Sequence, residues 1–174
     1  MKKKTKSYSM EEGLAVAKIA TADITKWLES KSETKVLLNV EDNPFYQNKD
    51  IDLILQTDKG IKYIEIKGDR VGDRTGNFFF ETVSNLNKMT DGCFLYTQAD
   101  LLFYYFVNSK ELYILPVKRT RKWFLGNQDC FKSKTGTTSV GDDEYSSLGK
   151  LVPIKRVLKE VSGAIKYIIG FNSN

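Results

Sequence analysis

Hydrophobic and polar residues alternate along two neighbouring stretches, Asp50-Ile51-Asp52-Leu53-Ile54-Leu55 and Ile61-Lys62-Tyr63-Ile64-Glu65-Ile66-Lys67. Polar Gln56-Thr57-Asp58-Lys59-Gly60 lies between them. Period-two alternation on either side of a Gly-ending polar turn predicts a β-hairpin. With the turn closed by Thr57 and Gly60, Ile51 faces Ile66, Leu53 faces Ile64 and Leu55 faces the stem of Lys62, which makes one side apolar and suited to a core. The other side carries Asp52 directly opposite Glu65, with Lys67 two residues further on. A one-residue slip would bury both carboxylates and expose the aliphatic side chains, so the pattern that folds the hairpin also brings the acids together.

Ahead of the hairpin, Ser9-Met10-Glu11-Glu12 has the spacing of a capping box, and Leu14, Ala17, Ala20, Ile24, Trp27 and Leu28 recur at helical intervals. They predict a helix from about Ser9 to Glu29. Lys35 to Val40 reads as a strand, and Glu41 to Lys49 as a loop. Beyond Lys67, Gly68 to Gly76 has the composition of a flexible loop, and Asn77 to Val83 reads as a strand. The aromatic run Phe103-Tyr104-Tyr105-Phe106, a turn at Asn108-Ser109-Lys110 and Glu111 to Val117 predict a second hairpin, with the aromatics in the sheet core. Gln128 to Lys150, rich in Gly, Ser, Thr and charge, reads as a long mobile loop, and a helix is expected near Ile154 to Val161. This order fits an α/β domain with a mixed central β-sheet flanked by α-helices. It is expected to be one domain over residues 1–174, with its core at about 9–117 and a basic segment, mobile loop and C-terminal helix in 118–174.

Two carboxylates at paired positions, with Cβ atoms roughly 4.5 to 5.5 Å apart, destabilise a sheet unless something offsets the repulsion, and a divalent cation would do so. The bland alternative is a solvated cluster of Asp52, Glu65 and Lys67. The tripeptide Glu-x-Lys also occurs at Glu29-Ser30-Lys31 and Glu33-Thr34-Lys35, but only Glu65-Ile66-Lys67 lies on a predicted strand with an acid in register beside it.

The chain has no histidine, which excludes His-based general bases and Ser-His or Cys-His triads and leaves carboxylates, lysine and metal as available chemistry. Cys93 and Cys130 lack the paired spacing of a zinc site and read as buried or semi-buried thiols of a reducing cytoplasm. A formal charge of +5 is compatible with a polyanionic partner. There is no phosphate-binding glycine motif and no dinucleotide fingerprint. No run approaches the roughly 18 to 20 apolar residues of a membrane span, and no apolar segment follows Lys2-Lys3-Lys4, so neither a membrane location nor a secretory signal is expected.

Asp52 and, thirteen positions on, Glu65-Ile66-Lys67 resemble the signature of the PD-(D/E)XK nuclease superfamily, including its phage-type and resolvase-like members. Ile51 stands where the motif's proline would be. The resemblance implies a restriction-endonuclease-like core and a metal-dependent endonuclease that hydrolyses DNA phosphodiester bonds, with structured or branched DNA such as junctions among its substrates. It implies Mg²⁺ or Mn²⁺ held by Asp52, Glu65 and the backbone carbonyl of Ile66, while Lys67 polarises the attacking water. It offers Glu12, on the first helix, and Glu81, in Gly76-Asn77-Phe78-Phe79-Phe80-Glu81, as additional acids, and a helix start at Thr97-Gln98-Ala99-Asp100. The simpler reading of Glu12 is as the capping residue of the first helix. Arg70 and Arg74 could meet a phosphate backbone or pair with Asp69 and Asp73. Lys118, Arg119, Arg121 and Lys122 are the densest basic stretch and the expected phosphate contact, unless they form the solvated face of a helix. DNA is the implied partner, a homodimer one arrangement and a phage-encoded intracellular protein one origin. The alternatives are a non-catalytic nucleic-acid-binding protein of the same fold and an end-processing exonuclease.

Overall fold

The computed structural model describes residues 8–140 and 143–170. Along the chain run β1 (Tyr8–Ser9), α1 (Met10–Glu29), β2 (Val36–Asn39), α2 (Pro44–Gln47), β3 (Leu53–Thr57), β4 (Gly60–Asp69), α3 (Gly72–Thr75), β5 (Asn77–Asn85), β6 (Thr90–Asp91) and α4 (Cys93–Tyr96). There follow β7 (Leu101–Phe106), β8 (Glu111–Pro116), α5 (Val117–Asn127), β9 (Lys132–Val140), β10 (Asp143–Pro153), α6 (Ile154–Glu160) and β11 (Ile165–Ile168). The protein is mixed α/β. A six-stranded sheet in the order β11-β8-β7-β4-β3-β2 is mixed because β4 and β7 run parallel while its other pairs are antiparallel. A five-stranded sheet in the order β1-β9-β10-β5-β6 packs over one face of it.

Helix α1 begins with the expected capping box. Ser9 Oγ accepts from the Glu12 N–H at 3.1 Å, and Glu12 Oε2 accepts from the Ser9 N–H at 3.1 Å. Its apolar stripe of Ala20, Ile24 and Leu28 covers Leu53, Ile64, Ile66, Phe103, Tyr105 and Leu112 on one face of the six-stranded sheet. Each such side chain, fully buried, stabilises the fold by roughly 1.5 to 3 kcal/mol. Strand alternation sends Leu102, Tyr104, Phe106, Tyr113 and Leu115 to the opposite face, where they meet Phe78, Phe80 and Val152 of the second sheet. The aromatic run is therefore core, as its sequence suggests.

The β3–β4 hairpin has the expected register, Leu53 with Ile64, Leu55 with Lys62 and Thr57 with Gly60. Four expectations need correction. Gln128 to Lys150 is no mobile loop: β9 and β10 pair over most of it, and β10 also pairs with β5. Ser and Gly suggest a loop, but Thr135, Thr137 and Thr138 are β-branched and favour strands. Gly68 to Gly76 is ordered by β4 running on to Asp69, whose Oδ1 then accepts from the Val71 and Gly72 N–H groups at 2.6 and 3.1 Å. Thr97 to Asp100 starts no helix. The single turn α4 precedes it, and Thr97 closes that turn, with its Oγ1 donating to the Asp50 carbonyl at 2.8 Å. Ile51, expected beside Ile66, lies in the other core.

Candidate metal centre

Because Ile64 and Ile66 point at α1, Glu65 and Lys67 point between the sheets. Glu65 is only 7 % exposed, which is at odds with a solvated ion cluster. The expected opposition of Asp52 and Glu65 is altered in form. Asp52 lies one residue ahead of β3, outside the ladder, and its N–H donates to the Ile64 carbonyl at 2.9 Å. Its Oδ2 accepts from the Ile66 N–H at 2.7 Å, and its carboxyl group reaches hydrogen-bonding contact with that of Glu65.

The chain turns into β3 through Asp50, whose φ of 55° is in the left-handed region that Asp tolerates better than most residues. This bend explains the place of Ile51. The carboxylate of Asp50 joins Glu65 and Cys93 in a cluster whose ligand atoms all lie within 4.8 Å of one another. Asp50 Oδ1 accepts from the Tyr96 hydroxyl at 3.4 Å, whereas Asp50 Oδ2 and Glu65 Oε2 are buried without a hydrogen-bond partner.

Cys93 reaches this cluster because α4 lies directly against β5. A Cβ on Gly92 would meet the Glu81 carbonyl oxygen at 2.2 Å, so only glycine permits the approach. Arg121 clamps the same turn by donating to the carbonyls of Phe94 and Thr97 at 3.1 and 2.7 Å. On the other side, the 1 % exposed Tyr104 hydroxyl accepts from the Phe79 N–H at 3.1 Å and donates to Asp69 Oδ2 at 2.7 Å, tying β5 to the end of β4. A Cβ on Gly68 would come within 3.0 Å of Ala20 Cβ and the Val16 carbonyl, so glycine also lets α1 close on β4 beside Lys67.

The electrostatics are those of crowded, desolvated charge. Burial, with the Asp52 and Asp50 carboxylates beside it, holds Glu65 well above the usual carboxylate range. Burial raises Asp52 as well, against the Ile66 hydrogen bond that lowers it. Asp50 is pushed up to about 6, first by burial and then by Asp52. Burial also pushes the Cys93 thiol up to about 12. The Cys93 sulfur in its thiolate form raises Lys67 most, burial opposes it, and Glu81, Glu65 and Asp69 add to the rise.

Lys67, Glu65, Arg70, Glu81 and Cys93 line an open cleft of about 470 Å³. Glu81, whose facing its sequence leaves open, thus adjoins the cluster. Glu12 does not line the cleft; it caps α1 and pairs with Arg70 at 3.2 Å. Arg74 is exposed on α3, away from this lining. The basic stretch falls on α5 and divides in two. Lys118 and Lys122 are exposed, whereas Arg119 donates to the Ser162 carbonyl at 3.2 Å and Arg121 holds α4. Arg121 is therefore a structural clamp rather than a free phosphate contact.

No family model, curated protein or solved structure matches the chain. Function must therefore be argued from the cluster itself. Two buried acceptor oxygens without donors, on carboxylates crowded enough to hold protons, fit a hard divalent cation, which takes oxygen ligands. Asp52, in contact with Glu65, supplies a third carboxylate. Among the described residues, no helix is long and apolar enough to cross a membrane.

Proposed function

We propose that the protein is a metal-dependent deoxyribonuclease of the PD-(D/E)XK type, an endonuclease that hydrolyses DNA phosphodiester bonds. The observation that carries this reading is Lys67 and the buried Glu65 side by side in the lining of an open cleft, with the partly buried carboxylates of Asp50 and Asp52 next to Glu65. Asp52, Glu65 and the Ile66 carbonyl would hold Mg²⁺ or Mn²⁺, and Asp50 is a further carboxylate within reach. The cation supplies a water of lowered pKa and neutralises charge on the phosphoryl oxygens.

The chain's own groups do the rest. Burial, with Asp52 and Asp50 beside it, favours the protonated form of Glu65, so binding of a cation there would release a proton to solvent. Lys67, beside Glu65 and Glu81 in the cleft lining, would orient the attacking water and stabilise the developing phosphorane charge. Arg70 is in the cleft lining, and a second groove of about 310 Å³ shares Asp69, Val71 and Phe79 with the cleft and continues to Lys134, Thr135 and Thr137. That path supports a strand laid across the site with its phosphates on β9.

Incubation with single-stranded, duplex, flapped and four-way DNA in Mg²⁺ or Mn²⁺, resolved on gels, tests the reading. Cleavage of at least one substrate that EDTA abolishes is expected. Tight binding of DNA with no cleavage in either metal would favour a non-catalytic binding protein instead.

A further inference from the structure

The place of Cys93 in the cluster bears on which cation it takes. Its sulfur lies within 4.8 Å of carboxylate oxygens of both Asp50 and Glu65. It is held there from two sides, by the glycine-permitted contact of α4 with β5 and by Arg121 on the α4 carbonyls. Glu65, more than nine-tenths buried, aims an unpartnered Oε2 into the same space. Oxygen and sulfur donors so arranged offer a cation a choice of ligands. Mg²⁺ binds oxygen and ignores sulfur, whereas Zn²⁺ and Co²⁺ take thiolate readily.

We propose that Cys93 is a ligand in this cluster, so that Asp50, Glu65 and Cys93 together bind thiophilic divalent cations such as Zn²⁺ and Co²⁺ much more tightly than Mg²⁺. The inference rests on the cluster being a cation site, but it requires neither DNA nor catalysis. As the metal–sulfur bond forms, the S–H bond breaks and its proton passes to solvent.

Cobalt reports a sulfur ligand directly, through a near-ultraviolet sulfur-to-metal charge-transfer band. Cys130 is an exposed free thiol, so the test uses Cys130→Ala as its background. Titration of Cys130→Ala with Co²⁺ is expected to give the band at one equivalent, and Cys93→Ser in the same background to lose it. Zn²⁺ affinity should fall by about 10- to 100-fold or more in the serine variant, the range that outer-sphere partners alone can carry. Thermal stabilisation by Mg²⁺ should be unchanged. A folded Cys130→Ala protein that Mn²⁺ stabilises but that shows no cobalt–sulfur band would overturn the ligand assignment while leaving the oxygen site standing. If neither a band nor a thermal shift appears with any of these cations, the cluster is not a metal site and both readings fall.

Discussion

Asp50→Asn should stabilise the metal-free protein near neutral pH. The substitution is nearly isosteric, and Asn is among the residues that accept the φ of 55° found there, so the backbone has no reason to move. What changes is charge. Asp50 titrates at about 6 instead of 3.8, chiefly through burial and then through Asp52. A shift of about two units corresponds to about 3 kcal/mol of penalty on the ionised form. Solvent at its partly open side screens this, which leaves an expected gain of about 1 to 3 kcal/mol. For a chain of this size that is a rise in Tm of several degrees, at about 2 to 4 °C per kcal/mol.

The sign of the pH dependence is fixed. The folded protein binds this proton more tightly than the unfolded chain, so the contribution of Asp50 to wild-type stability is full below 3.8 and is lost as pH rises through about 6. The advantage of Asp50→Asn should accordingly be full at about pH 7 and mostly gone by about pH 4. Urea denaturation in EDTA at both pH values measures it. A variant less stable than wild type at pH 7, or equally favoured at both, would refute the crowded-charge account of the cluster.

Asp52→Asn keeps an oxygen for the Ile66 N–H, so its metal-free Tm should match or exceed that of wild type. By contrast it should lose most of the Mn²⁺ stabilisation, which scanning fluorimetry would place near 2.7 kcal/mol at about a hundred times the dissociation constant in wild type. Tyr104→Phe leaves the Phe79 N–H without its acceptor and Asp69 Oδ2 without the Tyr104 donor, and should cost about 1 to 3 kcal/mol in denaturant titration. Arg121→Ala should lower stability, by about 1.5 to 3 kcal/mol for each charged hydrogen bond lost, without changing the salt dependence of DNA binding. Replacing both Lys118 and Lys122 should do the reverse, reducing the slope of log affinity against log salt by about one for each lysine in filter binding.

The hairpin was legible because alternation and turn chemistry act locally: Leu53, Ile64 and the Thr57–Gly60 closure fix one register, and that register sets Glu65 and Lys67 on one face. The capping box of α1 was readable for the same reason. Asp50 opens the same alternating run, but its part in the cluster was not legible, because the left-handed bend at this residue leaves no mark in the pattern. A polar residue just before a strand gives no hint of such a bend. Cys93 was equally hidden, since it comes to Glu65 across a contact between β5 and α4 that depends on Gly92. Arg121 looked like its basic neighbours in sequence, and only the position of the α4 carbonyls distinguishes it from Lys118 and Lys122. The β9–β10 pair was missed because its strands are polar enough to read as loop, although main-chain bonding along two partners orders them.

The central claim is that Lys67 and the buried carboxylates form a hydrolytic site, and nicking of supercoiled plasmid DNA in Mn²⁺ by wild type, Lys67→Ala and Glu65→Gln tests it most directly. Wild type should convert the plasmid to nicked or linear form. Both variants should retain DNA binding, because affinity comes from many phosphate contacts, but lose cleavage by at least about a hundredfold. Cleavage by folded Lys67→Ala within a few-fold of wild type would contradict the account.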